Sequence, residues 1–312
     1  MAAYSSNATR PNTTCLPFNP GPEFKALLER YGQVDRYLFR AFDKNSRSST
    51  DGTWVKSRDA RLLRPSSNSD IFARHSYNKA AETLRRFLYR KLSPQEDDNF
   101  VCWSNSLLAV LQGAFLRAQR AGDRSLANTF ICVVDTAQLP TRVFMSEMFL
   151  VSAFSKYDTS PRLPSAPERR LSYLLSLRQT KHPKYAGTTD LGQYLSQGAL
   201  LVEGHCSVVS LASIVDSGLY ALRHEFSLPT PKDEAWDVSV SKLRERLYAT
   251  SPCYPAEALE IESALRIGEK YGPSWKLPIA LAFLALKPRL AWDDGIMKAV
   301  RQFHGKSRLS KS

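Results

Sequence analysis

Three places in this 312-residue chain combine residue types that could do chemistry. The first is Arg40, in the middle of the run Arg36-Tyr37-Leu38-Phe39-Arg40-Ala41-Phe42-Asp43. That run predicts a buried strand. A guanidinium keeps its charge inside a protein, so a buried one demands an anionic partner, either a carboxylate or a phosphate. A nearby acid such as Asp43 would make Arg40 a structural ion pair at the strand rim; a phosphate would make it part of a ligand site. The second place is Ser104-Asn105-Ser106, at the end of the apolar stretch Phe100-Val101-Cys102-Trp103. Those serines either order a site or cap the helix that the pattern predicts over 107–121. The third is Gln193-Tyr194-Leu195-Ser196-Gln197-Gly198, with Glu203 on the following segment.

Other chemistries find little support. The chain has no Walker A loop, GxGxxG, HExxH or GxSxG motif. The histidines His75, His182, His205, His224 and His304 are scattered, none with a second ligand at metal spacing. Cys15, Cys102, Cys132, Cys206 and Cys253 form no CxxC pair, which argues against a zinc site or a disulfide framework and for a reducing compartment. The formal charge of +13 favours contact with something anionic, although Lys and Arg are spread along the chain. No signal peptide is visible, so the sequons starting at Asn7 and Asn12 carry no weight. The longest apolar run, 277–286, is far short of the roughly 20 residues that cross a bilayer. An intracellular, cytoplasmic protein with no membrane partner is expected; oligomeric state is not legible.

The elements that must position these residues follow from periodicity. Residues 1–30 are rich in Asn, Thr, Ser and Pro and read as a flexible amino-terminal arm with a helical hint at 23–31. Helical spacing recurs over 77–92, closed by Pro94. Thr129-Phe130-Ile131-Cys132-Val133-Val134-Asp135 is the clearest strand, and 144–154 suggests a helix. Residues 157–189 read as a proline-rich basic loop with a helical piece at 168–178. Strands follow around Gly198 and from Cys206. After Pro229 the character turns helical, over 238–248, 256–271, 277–286 and 292–303. The division expected is an arm at 1–30, an α/β domain at 31–228, a helical region at 229–304 and a basic disordered tail at 305–312.

Taken in order, Leu-Phe-Arg-Ala-Phe-Asp, Ser-x-Ser-Leu, Ile-x-Val-Val-Asp and Tyr-Leu-x-x-Gly resemble a fungal domain family of unknown function. That family is itself similar to the ADP-ribosyltransferase fold of the cholera-toxin type. The resemblance covers about 36–228. It implies an α+β fold, a split β-sandwich with flanking helices, holding NAD in the cleft between its sheets. It further implies that Arg40 grips the pyrophosphate or ribose by charge-assisted bonds, with Ser104, Ser106 and Tyr194 ordering the cofactor site. Where such transferases carry a catalytic glutamate, this chain has Gln193, with Glu203 as the substitute at hand. An amide brings no negative charge to the oxocarbenium-like centre that forms as nicotinamide leaves. Two readings therefore stand. One is an NAD-dependent transferase of ADP-ribose to a protein or nucleic-acid acceptor, with weakened or lost activity. The other is a non-catalytic module that binds through the same cleft or the basic surface. A nucleic-acid binder comes third, suggested by Tyr157, Tyr173 and Tyr185 among the basic residues of 157–189.

Overall fold

A computed structural model describes residues 15–74, 76–89, 95–120, 126–159, 174, 191–228, 230–231, 234–249, 254–290 and 292–309. The strands are β1 (Tyr37–Asp43), β2 (Ser49–Thr50), β3 (Trp54–Lys56), β4 (Phe100–Ser104), β5 (Thr129–Asp135), β6 (Met145–Ser146), β7 (Gln193–Gln197), β8 (Ala199–Leu201) and β9 (Cys206–Ser210). The helices are α1 (Lys25–Tyr31), α2 (Arg58–Arg61), α3 (Tyr77–Leu88), α4 (Leu107–Arg120), α5 (Glu147–Phe154), α6 (Leu211–Asp216), α7 (Leu219–Leu222), α8 (Trp236–Ala249), α9 (Ala258–Lys270), α10 (Lys276–Leu284) and α11 (Asp294–Leu309). Mixed helices and antiparallel sheets place the chain in the α+β class, as expected.

Six strands form one sheet in the order β6-β7-β4-β1-β5-β9, and β2-β3-β8 form a second. β5 is β-branched and apolar, suits a pleated surface buried on both sides, and pairs with β1 from Tyr37↔Asp135 to Asp43↔Thr129. On its other edge β1 meets β4 at one pair only, Phe39↔Ser104. Side-chain alternation then assigns the faces. Leu38, Phe42, Trp103, Cys132 and Val134 point toward the second sheet and cluster with its Val55 and Leu200. The opposite face is covered by two separate cores. Over β1, β5 and β9, Phe39, Ile131, Val133 and Val209 pack with Leu107, Leu111, Leu219, Leu243, Ile267 and Phe283 from the helices. Over β4, β6 and β7, Phe100, Met145 and Leu195 pack with Leu84, Phe149 and the aromatic pair Phe18 and Phe24.

The helices after residue 229 thus share a core with the sheet. They bury Val240, Leu243, Ile267 and Phe283 against the same apolar mass as β1 and β5.

The expected loose arm is corrected from Cys15 onward. Phe18 and Phe24 are buried, Leu16 bridges Gln197, and the Asn19 amide donates to Asp70. Gln197 is the anchor. Its side-chain amide donates to the Asp70 carboxylate at 2.7 Å and to the Pro17 carbonyl at 3.2 Å, and its Oε1 accepts from the Ile71 amide. Gln197→Leu would strand a buried carboxylate and a buried amide. The expected loss is about 1–3 kcal/mol in urea unfolding, since unpaired buried polar groups carry their desolvation cost. The tail is also corrected in part, because α11 continues to Leu309. The sequons, His75, His182, Cys253, Tyr173, Tyr185 and all of the helical piece at 168–178 except Leu174 lie outside the described residues.

Candidate functional site

The local sequence explains why Ser104 and Gln193 stand side by side. They are a register pair on adjacent strands, so both project from the Phe39 face. The chain reaches Gln193 through Gly192, whose φ of +59° is open to glycine at little cost, and where a Cβ would collide with the Asn105 side chain. The Asn105 amide donates to the Gly192 carbonyl at 2.9 Å, locking that turn against β4. The Ser104 hydroxyl donates to the Leu191 carbonyl at 2.7 Å and accepts from the Ser106 amide at 3.0 Å. Ser106 Oγ in turn accepts from the Ala109 amide and caps α4. The Ser-x-Ser pair therefore holds the start of a helix and the start of β7 in place.

Beyond Phe39↔Ser104 the strands β1 and β4 splay, and a crevice opens along the divergence. Its walls are Phe39, Arg40 and Ala41 of β1, Cys102, Trp103 and Ser104 of β4, and Gln193 of β7. Helix α4 adds Val110, Leu116, Arg117 and Arg120, and Trp236 of α8 closes one side. The free volume is about 100 Å³. That is well below the roughly 300–1,000 Å³ of a typical small-molecule site, so the crevice admits one ring or one diphosphate rather than a whole dinucleotide. The cause of the splay is visible in the packing. Each half of the sheet is fastened to its own helices, and the crevice lies where the two cores part.

Arg40 is 5% exposed. Its side chain leaves β1 on the Leu38 and Phe42 face, opposite Ser104 and Gln193. There its Nε donates to Thr50 Oγ1 at 2.9 Å and its Nη2 to Ser48 Oγ at 2.6 Å. Among the described residues no carboxylate lies within ion-pair distance of it. The expected rim pair with Asp43 does not form; Asp43 faces Arg117 at 3.7 Å and accepts from Ser46 instead. Burial, and after it the charge of Arg117, pushes the Arg40 guanidinium down to about 10. The guanidinium also lies over the Phe42 ring, 5.9 Å from its centroid, so two hydroxyls and an aromatic face hold this buried cation.

The other expected site residues lie elsewhere. Tyr194 points to the second-sheet face, where its hydroxyl donates to the Asp35 carboxylate at 3.0 Å. Ser106 is absent from the crevice wall and serves the helix cap. Glu203 is exposed on the turn after β8 and also does not line the crevice. No carboxylate does among the described residues, while Arg40, Arg117 and Arg120 all do. Sequence reasoning missed Ser48, Thr50 and Trp236. The first two sit in a polar tract that reads as a loop, and Trp236 reaches the site from 127 residues beyond its partner Ala109. No cluster of metal-ligating side chains occurs among the described residues, and no helix there is long and apolar enough to cross a membrane.

Comparison with family models finds a match over part of the chain. Residues 33–166 are similar to a family described as a domain of unknown function, DUF7587. The matched stretch includes Arg40, Ser104 and Ser106 and stops short of Gln193 and Glu203. No curated protein and no solved structure matches the chain.

Proposed function

We propose that this protein is an ADP-ribosyltransferase-like module that holds one ring or the diphosphate of NAD in the β1–β4 crevice and has lost most or all of the transfer activity. One observation carries the reading: Arg117 and Arg120 stand with Ser104 and Gln193 on a crevice wall that, among the described residues, holds no carboxylate. A diphosphate there would meet Arg117 and Arg120, and the buried charge of Arg40 behind β1 adds to the field. The binding reading is favoured over turnover because the crevice wall presents an amide, Gln193, where a transferase needs a negative charge. Any acceptor, protein or nucleic acid, belongs to the ancestral activity.

Calorimetric titration of the full chain with NAD tests this. Arg120→Met is expected to weaken NAD binding about 10- to 150-fold, the value of a charge-assisted hydrogen bond. The same variant should unfold within about 1 kcal/mol of wild type, because Arg120 is exposed. Unchanged affinity in Arg120→Met would sink the proposal.

A further inference from the structure

We infer that Trp236 gives the crevice its selectivity, presenting an aromatic wall to a planar ring of the ligand; this rests on the nucleotide reading above. The indole is fixed from two sides. Its Nε1 donates to the Ala109 carbonyl at 3.0 Å, and its five-membered ring lies against Gly113, where a Cβ would stand 3.1 Å from Nε1. The segment leading into α8 is tied to α4 as well. Gln112 donates to Thr230 Oγ1 at 3.1 Å, Gln119 to the Thr230 carbonyl at 2.8 Å, and Arg120 to the Glu234 carbonyl at 3.1 Å. A rigid aromatic wall costs no ordering when a ligand arrives. The free space beside it, about 100 Å³ with Val110 and Leu116 also lining it, suits one flat ring. Arg117 and Arg120, one turn apart on α4, then meet the phosphates attached to that ring.

The ligand class selected is therefore a nucleotide, recognised by ring and phosphate together, in preference to a bare diphosphate. Trp236 lies outside the matched family region, so the helical carboxyl-terminal part contributes directly to the site.

The test compares NAD with inorganic pyrophosphate by calorimetry on the full-length chain. Trp236→Leu is expected to weaken NAD about 5- to 150-fold, the range for loss of one stacking contact, and to leave pyrophosphate within twofold. Trp236→Phe, which keeps a ring, should retain most of the NAD affinity. Gly113→Ala displaces the indole without truncating it and should lower NAD affinity selectively. Equal losses for both ligands would show a merely structural role and overturn the inference, as would unchanged NAD binding in Trp236→Leu. Wild-type protein that binds pyrophosphate but not NAD would overturn it too while leaving the anion site standing. Wild-type protein that binds neither would overturn the nucleotide reading, and this inference with it.

Discussion

The Gln193→Glu variant is expected to release nicotinamide from NAD about 100- to 1,000-fold faster than the wild-type chain, the change in rate that one well-placed electrostatic group commands. Gln193 begins β7, is paired with Ser104 and lines the crevice, so a carboxylate at its position would keep the same backbone. The arginines of α4 at the same crevice, Arg117 and Arg120, would keep that carboxylate ionised. The substitution adds one charge and no bulk. It therefore changes the stabilisation of a developing cation while leaving the room for ligand unaltered. Nicotinamide release is read directly by chromatography. If the variant stays as inert as wild type while still binding NAD, the crevice does not hold the nicotinamide ribose. The chain would then be a binding module with no buried enzymatic past.

The second large effect concerns stability and lies among the carboxyl-terminal helices. Arg223 is fully buried, bonds the Leu284 carbonyl at 3.1 Å and pairs with Glu260, which also receives Arg289 at 2.9 Å. One carboxylate thus serves two guanidiniums. Burial alone would raise the Glu260 carboxyl, but the hydrogen bonds from Arg289 and Arg223, with their charges, hold it down at about 2. Glu260→Gln should cost about 3–5 kcal/mol in urea unfolding at neutral pH, since it leaves buried cations uncompensated. The sign with pH follows from the lowered folded-state value. The stabilisation is complete above the ordinary carboxyl value of 4.5 and is lost as pH falls toward about 2. Wild type and variant should therefore converge on acidification. A loss below about 1 kcal/mol at neutral pH, the range of an exposed pair, would show that the triad is solvent-screened.

Much of the scaffold was legible from periodicity. β5 matched its predicted span because β-branched apolar residues in sequence have few alternatives to a buried strand, and α4 followed from its apolar face and the serine cap at Ser106. The burial of Arg40 within a strand was legible too, because the residues flanking it are apolar. Its hydroxyl partners were not: Ser48 and Thr50 are four and two positions short of Gly52 in a tract whose composition says turn. Met145–Ser146 was absorbed into the helix expected over 144–154, since a two-residue strand leaves no periodic signature. Tyr194 shows the limit of motif reasoning. Its neighbour Gln193 faces the crevice, and alternation along a strand sends the next side chain to the other side. The amino-terminal segment resembled an arm because its composition is polar, yet two phenylalanines, Phe18 and Phe24, suffice to seat it in a core.

One pairing, Phe39↔Ser104, joins what are otherwise two three-stranded ribbons, β6-β7-β4 and β1-β5-β9. On the second-sheet face Leu38, Phe42, Cys132 and Val134 of one ribbon share a core with Trp103 and Tyr194 of the other, so the seam is weakest on the crevice face. Backbone amides flanking this seam should exchange with deuterium sooner than those of the continuous β1–β5 ladder, although both lie mid-sheet. A guest bulkier than the resting gap could then be admitted by breathing along the seam.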